Sequence, residues 1–184
     1  MHILYLLFSL ICFLEVVVLI LHYRKGNTHR GFIWWYGSVF LLSLYFLFIF
    51  FNSVYDLGAS FYLIKNLLVT TSSLLVYIGM LHFFDKRPQW RNLAIFYVAY
   101  LIISIFLYIT KISASLDILT SLFIAVISTI TGRLVFTNVV LNIDRFRKVF
   151  SVTFFIFAVL FPALGIIFLV TPFTTPSIQT LVEP

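Results

Sequence analysis

The chain has 184 residues, of which 62% are hydrophobic, 20% aromatic and only 10% charged, and it carries a formal net charge of +6. A soluble domain is about 45–50% apolar and about 25% charged, so this composition, with a mean hydropathy of +1.13, excludes an ordinary soluble enzyme or binding module. The positive charge makes no basic face for nucleic acid, and the single Cys12, inside an apolar run, excludes a disulfide framework or a cysteine-based metal cluster.

Six apolar runs are long enough for a hydrocarbon core of ~30 Å. The first extends from Ile3 to Leu21. It is not a signal peptide, since it lacks a basic start and a small-residue cleavage site and the chain stays apolar afterwards. The second runs from Phe32 to Phe51, the third from Phe61 to Phe84 and the fourth from Leu93 to Ile109. The fifth runs from Ile118 to Leu141 and the sixth from Val149 to Val170. Each is continuously apolar, which predicts helices; barrel strands would alternate over about 10 residues. The expected fold is all-α, a polytopic transmembrane bundle of about six spans forming one domain over 1–184. The segment from Thr171 to Pro184, with Pro172 and Pro176, reads as a tail or loop.

The basic residues give an orientation. Arg24, Lys25 and Arg30 follow the first run, and Lys86, Arg87 and Arg91 follow the third. Arg133, Arg145, Arg147 and Lys148 surround the connection after the fifth. The other connections hold only Lys65 and Lys111, accompanied by Asp56 and Asp117. The positive-inside rule therefore places the three basic connections in the cytoplasm and the N-terminus outside. Trp34, Trp35 and Trp90 fall at the same interface, which suits an amphipathic indole. Six crossings would leave the tail outside as well. The chain is then either a complete six-helix protein or one that stops before a seventh span.

Motifs of membrane enzymes and energised pumps are missing: there is no P-loop, no H-E-x-x-H and no G-x-S-x-G. His2, His22, His29 and His82 lie near interfaces without metal-ligand spacing on one helix face. The expectation is a chain with no catalytic residues, metal or cofactor. Asp144-Arg145-Phe146 reads as an interfacial charge cluster, and Pro88-Gln89 occurs once, in a connection.

Polar residues within the runs are the candidates for function, because ionisable groups are costly in lipid. Glu15 lies deep in the first span; it is read either as a proton, cation or ligand site or as a bundle-facing carboxyl that is protonated or hydrogen-bonded. Lys65 is near enough to the end of its span to reach outward. Asn66, Thr70, Ser73 and Tyr77 are spaced +4, +3 and +4 and form one helical stripe. Tyr97, Tyr100, Ser104 and Tyr108 do the same on the fourth span, Trp34, Ser38, Tyr45 and Asn52 on the second, and Ser121, Ser128 and Gly132 on the fifth. Such faces turn away from lipid, either to pack helices closely through small polar groups or to line a ligand pocket. The ligand or relay candidates are Glu15, Tyr45, Asn66, Thr70, Ser73 and Tyr77.

Trp35-Tyr36-Gly37, then Asn66 and Leu68, then Gly79 and Phe83-Phe84 ahead of Asp85-Lys86-Arg87 form a recognisable series over residues 30–90. This series resembles the N-terminal seven-helix sensor regions of bacterial GGDEF diguanylate cyclases and sensor histidine kinases. The chain departs from that pattern in ending before a seventh helix and in having no cytoplasmic catalytic domain. The resemblance implies a signal-input module in the bacterial cytoplasmic membrane, contacting lipid and a small ligand of unstated identity. It also implies a homodimer formed through a parent protein, whose output domain would hold the activity. The alternative is a small transporter or channel, for which an internal repeat or helices broken at mid-membrane would be expected.

Overall fold

A computed structural model describes residues 2–24, 31–55, 57–110 and 113–138, together with four helical positions of the last apolar run, 156, 159, 160 and 163. The described residues form helices α1 (His2–Arg24), α2 (Phe32–Tyr55), α3 (Ala59–Phe83), α4 (Trp90–Ile109) and α5 (Ser113–Thr137). The fold is all-α, as composition and continuous apolarity require.

The number of spans is corrected. Hydropathy draws six, whereas the described residues give five helices, four of which, α2 to α5, are long and apolar enough to cross a membrane. The apolar stretch of α1 that meets the composition is shorter, Ile3–Val18. The sixth run, apart from its four positions, the cluster Arg145, Arg147 and Lys148, and the tail 171–184 lie outside the described residues. The chain is a multi-pass integral membrane protein in contact with lipid. Its outward surface bears this out: Leu14 and Val18 on α1 and Ile102 and Phe106 on α4 are more than half exposed, an arrangement for which hydrocarbon, not water, is the natural solvent.

Among the described residues, α1 packs on α2, α2 on α3, and α3 on α5, with α4 held against α5 and more lightly against α3. Lipid gives helices no hydrophobic reason to associate, so small residues and interhelical hydrogen bonds must supply it. Two serine crossings do so. Ser9 and Ser43 bond reciprocally, each hydroxyl donating to the other's backbone carbonyl at 3.0 and 2.9 Å. Ser72 donates to the Ser38 carbonyl at 3.1 Å, with the two hydroxyls 2.9 Å apart. The α2–α3 contact closes further at Gly31 and Gly79. A Cβ on Gly31 would lie 2.5 Å from the Gly79 carbonyl oxygen, and one on Gly79 would strike the Trp35 indole.

Every second helix runs the same way, so the bundle has two distinct ends. One end, at Gly31, Phe83, Trp90 and Thr137, carries Lys86, Arg87, Arg91 and Arg133. All three tryptophans gather there: Trp34 stacks on His82 at 5.9 Å, Trp34 and Trp90 lie 5.8 Å apart, and Trp35 stacks on Phe83 at 5.8 Å. The other end, at Tyr55, Ala59, Ile109 and Ser113, carries Lys65 and Asp117. α3 ends in a tight cap at the basic end. Lys86 N–H donates to the Leu81 carbonyl at 2.8 Å and Asp85 N–H to that of His82 at 3.2 Å, with Asp85 in the left-handed region at φ 52°. This is the paired 6→1 and 5→2 pattern that satisfies last-turn carbonyls, and aspartate is among the residues that tolerate that conformation.

Candidate functional site

The polar centre of the bundle joins α3 to α5 at the end opposite the basic one. α3 begins at Ala59, so Lys65 and Asn66 lie in its second turn; α5 begins at Ser113, so Asp117 lies in its second turn as well. α3 and α5 run in the same direction, which sets these turns at one depth. Lys65 Nζ reaches Asp117 Oδ1 at 3.0 Å, and Asn66 Nδ2 donates to the same oxygen at 2.9 Å. Asn66 is buried, while Lys65 and Asp117 keep 17% and 30% of their side-chain exposure. This is the single ion pair among the described residues. Phe61 and Tyr62 lie near the ammonium, with ring centroids at 6.0 and 5.3 Å, within reach of a weak cation–π attraction for Tyr62.

The other polar contacts attach α4. Thr71 and Tyr97 hydroxyls lie 2.5 Å apart between α3 and α4, and Tyr100 and Thr120 hydroxyls 3.0 Å apart between α4 and α5. Tyr100 also packs in the apolar core with Phe123 and Ile127. Ser60 and Tyr108 approach to 3.3 Å at the end that holds the ion pair. The hydroxyl of Ser104, fully buried on α4, and the indole N–H of Trp35 have no hydrogen-bond partner among the described residues.

The six sequence candidates do not form one pocket. Asn66 holds Asp117, while Tyr45 is on α2, with its ring 5.3 Å from that of Phe46. Thr70 is fully buried but donates to the Asn66 carbonyl of its own helix at 2.7 Å, and Ser73 donates to Val69 at 2.9 Å. Those two hydroxyls therefore back-bond within α3. Tyr77 sits two to three turns further along, where it lines a cleft of about 430 Å³ among α3, α4 and α5. Glu15 stands apart: it is exposed on α1, beside Leu14 and Val18, and among the described residues α1 packs on α2.

Sequence reasoning missed Asp117, reading it as a connection residue because it precedes the apolar core of its run. It also sent Lys65 outward, whereas the ammonium turns to α5. Ser9 and Ser43 escaped because each is a lone serine in an apolar run, and Ser72 because it lies off the Asn66–Tyr77 stripe, between Thr71 and Ser73. The one available signal was their equal separation: Ser9 to Ser43 and Ser38 to Ser72 are both 34 residues apart.

No family model, curated protein or solved structure matches the chain.

Proposed function

We propose that this chain is a membrane-embedded sensory module that relays a stimulus by shifting α3 against α5. One observation carries the reading: a single carboxylate oxygen of Asp117 holds both Lys65 and Asn66, so one charged group clamps two parallel helices. Buried ionic contacts add little net stability but fix one arrangement sharply, since losing a partner leaves a charge uncompensated. A ligand, ion or proton competing for Asp117 would bias such a contact between two packings. The likeness of residues 30–90 to bacterial sensor regions supports the same assignment. The output activity then resides in a cytoplasmic domain of the parent protein, such as a diguanylate cyclase or histidine kinase.

The test joins the chain to a cyclase reporter, in parallel fusions with and without one added membrane crossing. Asn66→Ala and Asp117→Asn should each change the reporter's output several-fold at equal expression. Output equal to that of the unmodified chain in both variants would defeat the assignment, and solute flux through vesicles containing the purified protein would favour the transporter class instead.

A further inference from the structure

The cleft at the basic end has the lining of a site for an anionic lipid. Its inner walls are apolar, formed by Tyr77 on α3, Phe96 on α4 and Ile127 on α5. Its mouth is polar and cationic, formed by Lys86, Arg87 and Asn92. The cleft exists because α4 is held less closely against α3 than α2 or α5 is, and its first turns, after Pro88, leave space beside the end of α3. The cap of α3 sets the basic pair in place. Asp85 in the left-handed conformation and the Lys86 N–H bond to Leu81 fix the backbone from which Lys86 and Arg87 leave. Both side chains are exposed, and among the described residues neither has a carboxylate partner, since the one ion pair is Lys65–Asp117.

We propose that this cleft binds one anionic phospholipid from the adjoining leaflet, with its phosphate at Lys86 and Arg87 and an acyl chain along Tyr77, Phe96 and Ile127. Two cations at a bilayer surface attract an anionic headgroup, and basic pockets between membrane helices are a recurrent headgroup site. The apolar walls decide between lipid and free phosphate, because a soluble anion would leave them uncovered while an acyl chain buries them. The Asn92 side chain, whose amide donates to Gln89 Oε1 at 2.8 Å, stands at the same mouth as a further polar group. This site is at the opposite end from Asp117 and does not depend on the sensory reading.

Trp90 begins α4 beside the mouth and is 53% exposed, which makes it a native reporter. The full chain is placed in phosphatidylcholine vesicles containing a small fraction of brominated phosphatidylglycerol or, separately, of brominated phosphatidylcholine, and tryptophan quenching is titrated. The anionic lipid should quench at a mole fraction lower on the order of tenfold. K86Q/R87Q should abolish that preference, while the charge-conserving K86R/R87K should retain it. Millimolar glycerol 3-phosphate should leave the quenching unchanged. Equal quenching by the two lipids, a preference that persists in K86Q/R87Q, or displacement by glycerol 3-phosphate would each overturn the proposal. Matching helical circular dichroism of the variants shows that the fold is intact.

Discussion

Lys65 of α3 and Asp117 of α5 meet at 3.0 Å near one end of the bundle, and Asn66 donates to the same carboxylate oxygen at 2.9 Å. The pair is asymmetric in its support. Asp117 has two donors, whereas Lys65 has one acceptor, so losing the carboxylate does more harm than losing the amine. Asp117→Asn should destabilise the bundle by about 1–3 kcal/mol, tempered by partial exposure, and Lys65→Met by less. The double variant Lys65→Met/Asp117→Leu should recover part of the loss, because no charge is then left uncompensated. Denaturation in mixed micelles measures all three.

The close approach of α2 and α3 gives a second expectation. Gly31→Ala puts a methyl against the Gly79 backbone, which cannot step aside, and should cost about 1–3 kcal/mol. Gly37→Ala meets only the tip of Leu75 at 3.1 Å, a flexible side chain, and should cost less than about 1 kcal/mol. The same denaturation assay ranks the two. Equal losses would mean that the Gly31–Gly79 contact is not the close one.

Ser43 makes two bonds with Ser9, donating one and accepting one. Ser43→Ala removes only the bond its hydroxyl donates, since the carbonyl that accepts from Ser9 remains; interhelical bonds of this kind in lipid average about 0.6 kcal/mol, the cost expected here. Ser43→Leu should cost more, since its larger side chain also forces α1 away from α2. Proteolysis of α1 in detergent should rise accordingly.

The positive-inside expectation, with the basic end in the cytoplasm, is open to a labelling test. In a Cys12→Ser background, Asp85→Cys should react with a membrane-impermeant maleimide only after cells are opened, and Leu57→Cys, at the other end, in intact cells. Both positions are exposed. The reverse labelling pattern would invert the topology.

How much of this was legible in the sequence depends on what each residue needed. The helices themselves were, because continuous apolarity specifies a helix whichever way it faces. The observed elements start and end within a few residues of the hydropathy runs, α4 at Trp90 and not Leu93 and α5 at Ser113 and not Ile118, because a helix extends through polar interfacial turns that hydropathy discards. The gathering of Trp34, Trp35 and Trp90 at one end was also legible, since interfacial preference is a property of the side chain. Partnership was not. Periodicity placed Asn66, Thr70, Ser73 and Tyr77 on one stripe of α3, yet Asn66 bonds to α5, Thr70 and Ser73 to their own helix, and Tyr77 lines the distant cleft. A stripe states which way residues point and leaves open which neighbour they meet. Glu15 shows the same gap, because depth in a span does not say which face a residue takes.

The central claim is that the Asp117 clamp sets the packing of α3 against α5. Spin labels at Asp85→Cys and Thr137→Cys, exposed positions at the far ends of the two helices, report that packing by pulsed electron resonance in vesicles containing the Cys12→Ser chain. Two distance populations are predicted, with Asp117→Asn shifting their ratio several-fold. A single distance distribution, identical with and without the Asp117 carboxylate, would contradict the account.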